Sequence, residues 1–164
     1  MGIIYQLNLK PATSGERGLP KYPVAEARIT LRGVEGDYNR YRAEKKHHRP
    51  EAALLIIPLE ILRQLNLEGW PICPGDLGEN ITTLGLSYDS LAPGKKYQVG
   101  ATVIEISEPC TPCINLQVLP YVGKERVTEF MRILAKPTNR RGWYAKVLQE
   151  GRVQRGDALE ELLI

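Results

Sequence analysis

A chain of 164 residues, 43 % hydrophobic and 25 % charged, has the length and apolar content of one globular domain with its own core. A net charge of +3 is too small a basic excess to mark a nucleic-acid binder, and three cysteines, an odd number, argue against a secreted disulfide framework. The opening residues carry no long apolar run with a cleavage site, and no stretch reaches the roughly 20 apolar residues that span a bilayer, so a single cytoplasmic domain, 1–164, with no membrane partner is expected.

Residues 3–9 alternate loosely and predict a strand, followed by a loop over 11–20. Residues 24–31 alternate cleanly and predict one half-buried strand, with a turn at Gly36-Asp37. The short apolar run 52–57 predicts a buried strand. Pro58 then suits the first turn of a helix carried by Leu59, Leu62 and Leu65 and ended by Gly69. Five glycines, from Gly75 to Gly100, separate β-prone pieces at 80–83, 97–99 and 102–107; short strands so closely spaced predict a barrel or sandwich. Val127, Phe130, Met131 and Leu134 fall at i, i+3, i+4 and i+7, a helix with one buried face. Residues 144–148 predict a strand, and Gly151 and Gly156 predict turns. The fold class expected is mainly β, with two or three short helices.

Four segments can carry chemistry. In Glu-Pro-Cys-Thr-Pro-Cys, 108–113, two prolines fix φ and remove two backbone donors, so a stiff segment ends the strand and can point Cys113 out of a barrel mouth. Residues 114–119 begin either a helical turn or a strand, and a helix start would favour the thiolate. Three other readings stand beside this: buried small hydrophobes, for Cys110 above all; a zinc site drawing on His47, His48 or Cys73; and a thioredoxin-like redox pair. Residues 38–49 hold Arg40, Arg42, Lys45, Lys46, His47, His48 and Arg49 against one Glu44, which suits a solvated loop, a phosphate-bearing small molecule, or, with Tyr38 and Tyr41 interleaved, a nucleic acid. In residues 74–80, Gly75 and Gly78 permit positive φ, and Asn80 can donate and accept; the plainer reading is a turn whose Asp76 and Asn80 bond local backbone. Arg140-Arg141-Gly142-Trp143-Tyr144 sets arginines beside aromatics, either as an anion clamp or with the rings as packing.

Taken together, the stretches 18–21 (GLPK), 33–37 (GVEGD), 74–82 (PGDLGENIT), 91–107, Pro112-Cys113 and 141–157 (RGWYAKVLQEGRVQRGD) resemble the MOSC family, named for the C-terminal module of molybdenum-cofactor sulfurases, and its small stand-alone members in particular. The resemblance implies a β-barrel of the pyruvate-kinase-barrel type. It maps the family's characteristic cysteine, a molybdenum ligand or persulfide carrier, onto Cys113. It places the contacts to an anionic pterin, the molybdenum cofactor (molybdopterin), at Lys21, Asp37, Arg40, Arg42, Asn80 and Arg141. Here Tyr38-Asn39 stand between Gly-Asp and Arg40, where many members have Arg or His directly after Gly-Asp. Cys110 is an extra thiol, able to resolve a persulfide as a disulfide or incidental to the chemistry. Family members occur fused to a pyridoxal-phosphate-dependent cysteine desulfurase; this chain has no room for a pyridoxal-phosphate domain, so a desulfurase would be a separate partner. The activity implied is reduction of N-hydroxylated compounds with electrons from a partner flavin or iron–sulfur protein. The alternatives are a non-catalytic carrier of cofactor or sulfur and, from residues 38–49, a nucleic-acid-binding barrel.

Overall fold

The computed structural model describes residues 1–13, 15, 17–38, 43 and 47–163. Its strands are β1 (Gly2–Leu9), β2 (Tyr22–Val24), β3 (Glu26–Thr30), β4 (Gly33–Val34), β5 (Leu54–Pro58), β6 (Ile81–Leu84), β7 (Lys96–Val99), β8 (Thr102–Pro109), β9 (Trp143–Gln149), β10 (Gly151–Gln154) and β11 (Ala158–Leu162). Its helices of more than five residues, among the described residues, are α1 (Leu59–Leu67) and α2 (Gly123–Ala135). Seven strands close a barrel in the order β11-β7-β8-β9-β5-β6-β1, sealed by the β11–β1 pairing. Strand β2 extends the sheet beyond β1, and β10-β3-β4 form a separate three-stranded sheet. All barrel pairs are antiparallel except β5–β6, whose crossover is α1.

The run Leu54–Pro58 is apolar throughout because both of its faces are covered. Leu54 and Ile56 point inward to a core shared with Ile4, Ile81, Tyr97, Ile104, Ile106, Ala145 and Leu159. Ile57 points outward to a second core beneath the helices, with Leu62, Leu65, Trp70, Phe130 and Leu134. Side chains fill the barrel interior, as small barrels require, and Ala27, Ile29, Val34 and Val153 of the three-stranded sheet join the same core. Helix α2 buries Val127, Phe130 and Leu134, the face its spacing predicts, and each such side chain contributes about 1.5–3 kcal/mol. Phe130 meets Trp70 at 4.6 Å between ring centroids, and the Arg126 guanidinium lies 4.0 Å from the Trp70 ring.

Three expectations are corrected in detail. The predicted strand 24–31 is broken at Ala25, so that β2 pairs with β1 while β3 pairs with β10 in the other sheet. Pro58 ends β5 and sits at the N-cap of α1 in extended conformation, one position before the first helical residue. Gly151, expected in a turn, is the first residue of strand β10, while Gly156 lies in the turn before β11, which closes the barrel.

Candidate functional site

The register of β5 and β9 sets the site. Leu55 lies directly opposite Tyr144, and both point away from the barrel interior, out of phase with Leu54, Ile56 and Ala145. With Ala52 and Cys110 they form a small third cluster. Leu55, Tyr144 and Cys110 line a narrow pocket that opens to the surface. The rest of the lining is Arg17, Gly18, Leu19, Leu77, Gly78, Thr111, Cys113, Asn115 and Arg141. The site therefore lies on the outer face of the barrel wall. It is not at a barrel mouth, because the interior is packed with side chains.

Two loops roof this face. Gly78 at φ +80° lies close under Gly18 and Leu19, and a Cβ there would sit 3.3 Å from the Gly18 carbonyl oxygen. The Lys21 N–H donates to the Gly75 carbonyl at 2.8 Å, docking segment 18–21 onto segment 74–80. On the other side, Cys110 is clamped by its backbone: its N–H donates to the Gly142 carbonyl at 2.9 Å, and its carbonyl accepts from Asn139 Nδ2 at 3.0 Å. Its thiol contacts the Thr111 carbonyl at 3.7 Å and is 2 % exposed. Cys113 is half-buried in the same pocket and immediately precedes a five-residue 3-10 turn, Ile114–Val118, the helical alternative of the two predicted for this stretch.

Arg141 is the buried one of the two arginines that line the pocket, with Arg17. It is 4 % exposed, yet its Nε and Nη1 atoms are buried with no hydrogen-bond partner among the described residues. Burial pulls its pKa down, but the Cys110 and Cys113 sulfurs, the Tyr144 phenol and the Glu79 carboxyl together push it above the ordinary arginine value, so it stays charged. Its neighbour Arg140 diverges, forming a fork on Glu68 at 2.5 and 3.0 Å and reaching the Ile133 carbonyl at 2.6 Å. Trp143 packs on the barrel core, and burial pushes the Tyr88 phenol, which accepts the Gly142 N–H at 3.3 Å, up to about 12.

Lys21, Asp37 and Asn80, expected on the ligand, are brought together but bond one another. Lys21 Nζ donates to both Asp37 carboxylate oxygens at 2.6 and 2.5 Å, with neither side chain exposed. Asn80 Nδ2 donates to Asp37 Oδ2 at 2.8 Å, and Asn80 Oδ1 accepts the Leu55 N–H at 3.1 Å. Since the Asn80 N–H also donates to the Leu55 carbonyl at 2.8 Å, one asparagine holds the backbone of a pocket residue from both sides. The local-turn reading of 74–80 holds for Asp76, which accepts the Cys73 N–H at 3.0 Å, but not for Asn80. Arg40 and Arg42 lie outside the described residues, as do Lys45 and Lys46. The zinc reading finds no support among the described residues, where no three His, Cys, Asp or Glu are grouped to hold a metal. Among the described residues, the parallel β5–α1–β6 unit lies far along the chain from the CxxC, which is not in a thioredoxin-like context.

Sequence reasoning missed Glu79. It is fully buried, with Oε1 accepting the Gly75 N–H at 2.7 Å and the Thr82 hydroxyl at 3.0 Å, and Oε2 unpartnered among the described residues. Burial pushes its carboxyl above the ordinary carboxylate value; the N–H groups of Gly75 and Glu79, the Thr82 hydroxyl and Arg141 pull back less. A carboxyl with a raised folded pKa contributes stability below the unfolded value of about 4.5 that is lost as pH rises through the folded pKa. The stability of Glu79→Gln relative to wild type should thus climb as pH rises above about 4.5. Thermal unfolding of the two proteins at acid and neutral pH checks this, and a difference independent of pH would contradict it.

The fold and the site define a closed β-barrel with an outward-facing pocket lined by two thiols and a buried guanidinium. The MOSC domain family model matches residues 43–160, and the chain belongs to that family. It is 29 % identical to the YflK protein of Bacillus subtilis over 154 residues and 29 % identical to the YiiM protein of Escherichia coli over 140. These alignments cover 90 % and 82 % of this chain but 64 % and 58 % of those proteins, so it spans less than two thirds of either. A protein of Gibberella moniliformis named a reductase is 32 % identical over 89 residues, which cover 54 % of this chain and 15 % of that one. The crystal structure of YiiM from Geobacillus stearothermophilus superposes with a TM-score of 0.75 at 26 % identity, covering 99 % of this chain and 76 % of that one. No helix among the described residues is long and apolar enough to cross a membrane.

Proposed function

We propose that the pocket receives the molybdenum cofactor, with the Cys113 thiolate as the protein's ligand to the metal and Arg141 against an anionic group beside it. The observation that carries this reading is the pair of buried, unpartnered N–H groups on Arg141 in the same pocket as the half-buried Cys113 thiol. Buried guanidinium N–H groups left unpartnered cost free energy, and an anion seated against them relieves that cost. A thiolate is a soft ligand that suits molybdenum better than it suits calcium or magnesium.

When bound, the cofactor supplies two-electron redox chemistry, which suits reduction of an N-hydroxylated substrate such as an amidoxime or hydroxylamine. The chain's own residues do the holding. Arg141 neutralises the anion, while Cys110, Leu55 and Tyr144 form a water-poor floor. Lys21, Asp37 and Asn80 act from behind by fixing the Leu55 backbone and the roof loop, and so position the site without touching the ligand. Electrons come from a separate flavin or iron–sulfur protein. The name of the fungal relative agrees with the reductive direction.

The test is the molybdenum and pterin content of protein purified without air from a host that makes the cofactor. Near-stoichiometric metal and pterin in the wild type are expected, with most of the metal lost in Cys113→Ala and loading reduced in Arg141→Met. Absence of both from the wild type would sink the proposal. Loading without turnover by an artificial electron donor would make the protein a carrier.

A further inference from the structure

Glu79 and Arg141 form an unusual pair beneath the pocket. Each is at least nine-tenths buried, and each leaves polar atoms unpartnered among the described residues: Oε2 on the acid, Nε and Nη1 on the base. The two charges act on one another, yet no hydrogen bond joins them. Glu79 follows Leu77 and Gly78, two residues that line the pocket with Arg141, and does not itself line it.

Arg17 also lines the pocket, and it is the charge that Glu79 and Arg141 present together that is set by one proton. With Glu79 ionised, carboxylate and guanidinium offset one another, and an arriving anion meets less attraction than with Glu79 protonated. With Glu79 protonated, the positive charge of Arg141 is uncompensated. We propose that Glu79 is the proton partner of the bound anion: an anion that seats against Arg141 is accompanied by uptake of one solvent proton onto Glu79. The only bond made is the O–H of the carboxyl, and no oxidant or reductant enters. This inference rests on reading the pocket as an anion site.

The groups around Glu79 do not duplicate the role. The Gly75 N–H, the N–H of Glu79 itself and the Thr82 hydroxyl donate to it and carry no charge. Tyr121 also feels Glu79, and burial with its hydrogen bond to Asp76 holds that phenol far above the usual range, so it stays neutral. The thiols of Cys110 and Cys113 act on Arg141 from the pocket side, and a variant of Glu79 separates their protons from its own.

The experiment is calorimetric titration of the protein, free of cofactor, with sulfate, whose own charge is constant from about pH 5 to about pH 8. Wild type should bind sulfate more weakly as pH rises, by up to about tenfold per pH unit, the limit for one coupled proton. Glu79→Gln keeps the shape and should bind with an affinity that is flat in pH and tighter than wild type at the alkaline end. Repeating the wild-type titration in two buffers of different ionisation heat should show uptake of close to one proton, a readout that does not depend on any variant folding. Binding without proton uptake, or the same pH slope in Glu79→Gln, would overturn this inference and leave the anion site standing. No sulfate binding by either protein at any pH would overturn both.

Discussion

Lys21→Met is expected to lower unfolding stability by about 3–5 kcal/mol, the range for removing one partner of a buried ion pair. Lys21 donates to both oxygens of Asp37 and to the Tyr38 carbonyl at 3.2 Å, and neither member of the pair is exposed. Its removal takes the ammonium from a carboxylate in low dielectric; among the described residues the Asn80 amide and the Lys10 N–H, 2.9 Å from Oδ1, also donate to it. Domains are stable by only about 5–15 kcal/mol, so a loss of this size unfolds a large fraction at physiological temperature. Denaturant unfolding with unchanged slope is the measurement, and a loss below about 1 kcal/mol would show that the pair is not the clamp described. Lys21→Met with Asp37→Leu should recover part of the loss, since apolar replacement of both partners removes the stranded charge. Full recovery is not expected, because Asn80 and Lys10 then lose their acceptor.

Gly142→Ala is expected to cost about 2–6 kcal/mol, roughly 1–3 from backbone strain and roughly 1–3 from overpacking. Gly142 sits at φ +106°, a region closed to most side chains. A Cβ there would lie 2.6 Å from Ile57 Cγ1 and 2.8 Å from the Ile56 carbonyl oxygen, and backbone in a central strand yields little. The damage should reach the site, since the Gly142 carbonyl accepts the Cys110 N–H and its neighbour is Arg141. Thermal unfolding should report the lost stability, and alkylation mapped by mass should show Cys110, buried in the wild type, becoming reactive under native conditions. Wild-type stability together with an unreactive Cys110 would count against this account.

What could be read from the sequence was what one period reports. The apolar run of β5, the i, i+3, i+4, i+7 pattern of α2 and the short pieces between glycines declare themselves because each buries a regular face. Strands β10 and β11 do not: in GRVQ and ALEEL only Val153 and Leu159 are buried, too few to show alternation. The break at Ala25 is silent for the opposite reason, because the alternation runs through it while the chain changes sheets. At the site, Cys113 and Arg141 stand out by their neighbours, Pro112 and the Gly-Trp-Tyr run. Lys21, Asp37 and Asn80 stand out as polar residues among glycines, but a sequence does not say whether polar atoms face a ligand or each other. Glu79 looks like any acid in a turn; only the fold, which buries Thr82 and Gly75 against it, reveals it.

The barrel is sealed between its first and last strands by the pairs Gly2↔Leu159 and Ile3↔Ala158, reinforced by Ile4 and Asp157 at 2.8 Å. Strand β1 can dock on β6 once residues 81–84 exist, but its other edge waits for residues 158–162. A contact so distant in sequence forms slowly. During synthesis the interior stays open along one seam until β11 is available to pair, and every pocket-lining residue, from Arg17 to Tyr144, is made before β11. A nascent chain thus carries its pocket-lining groups on an unsealed sheet, with an unpaired edge until β11 pairs with β1.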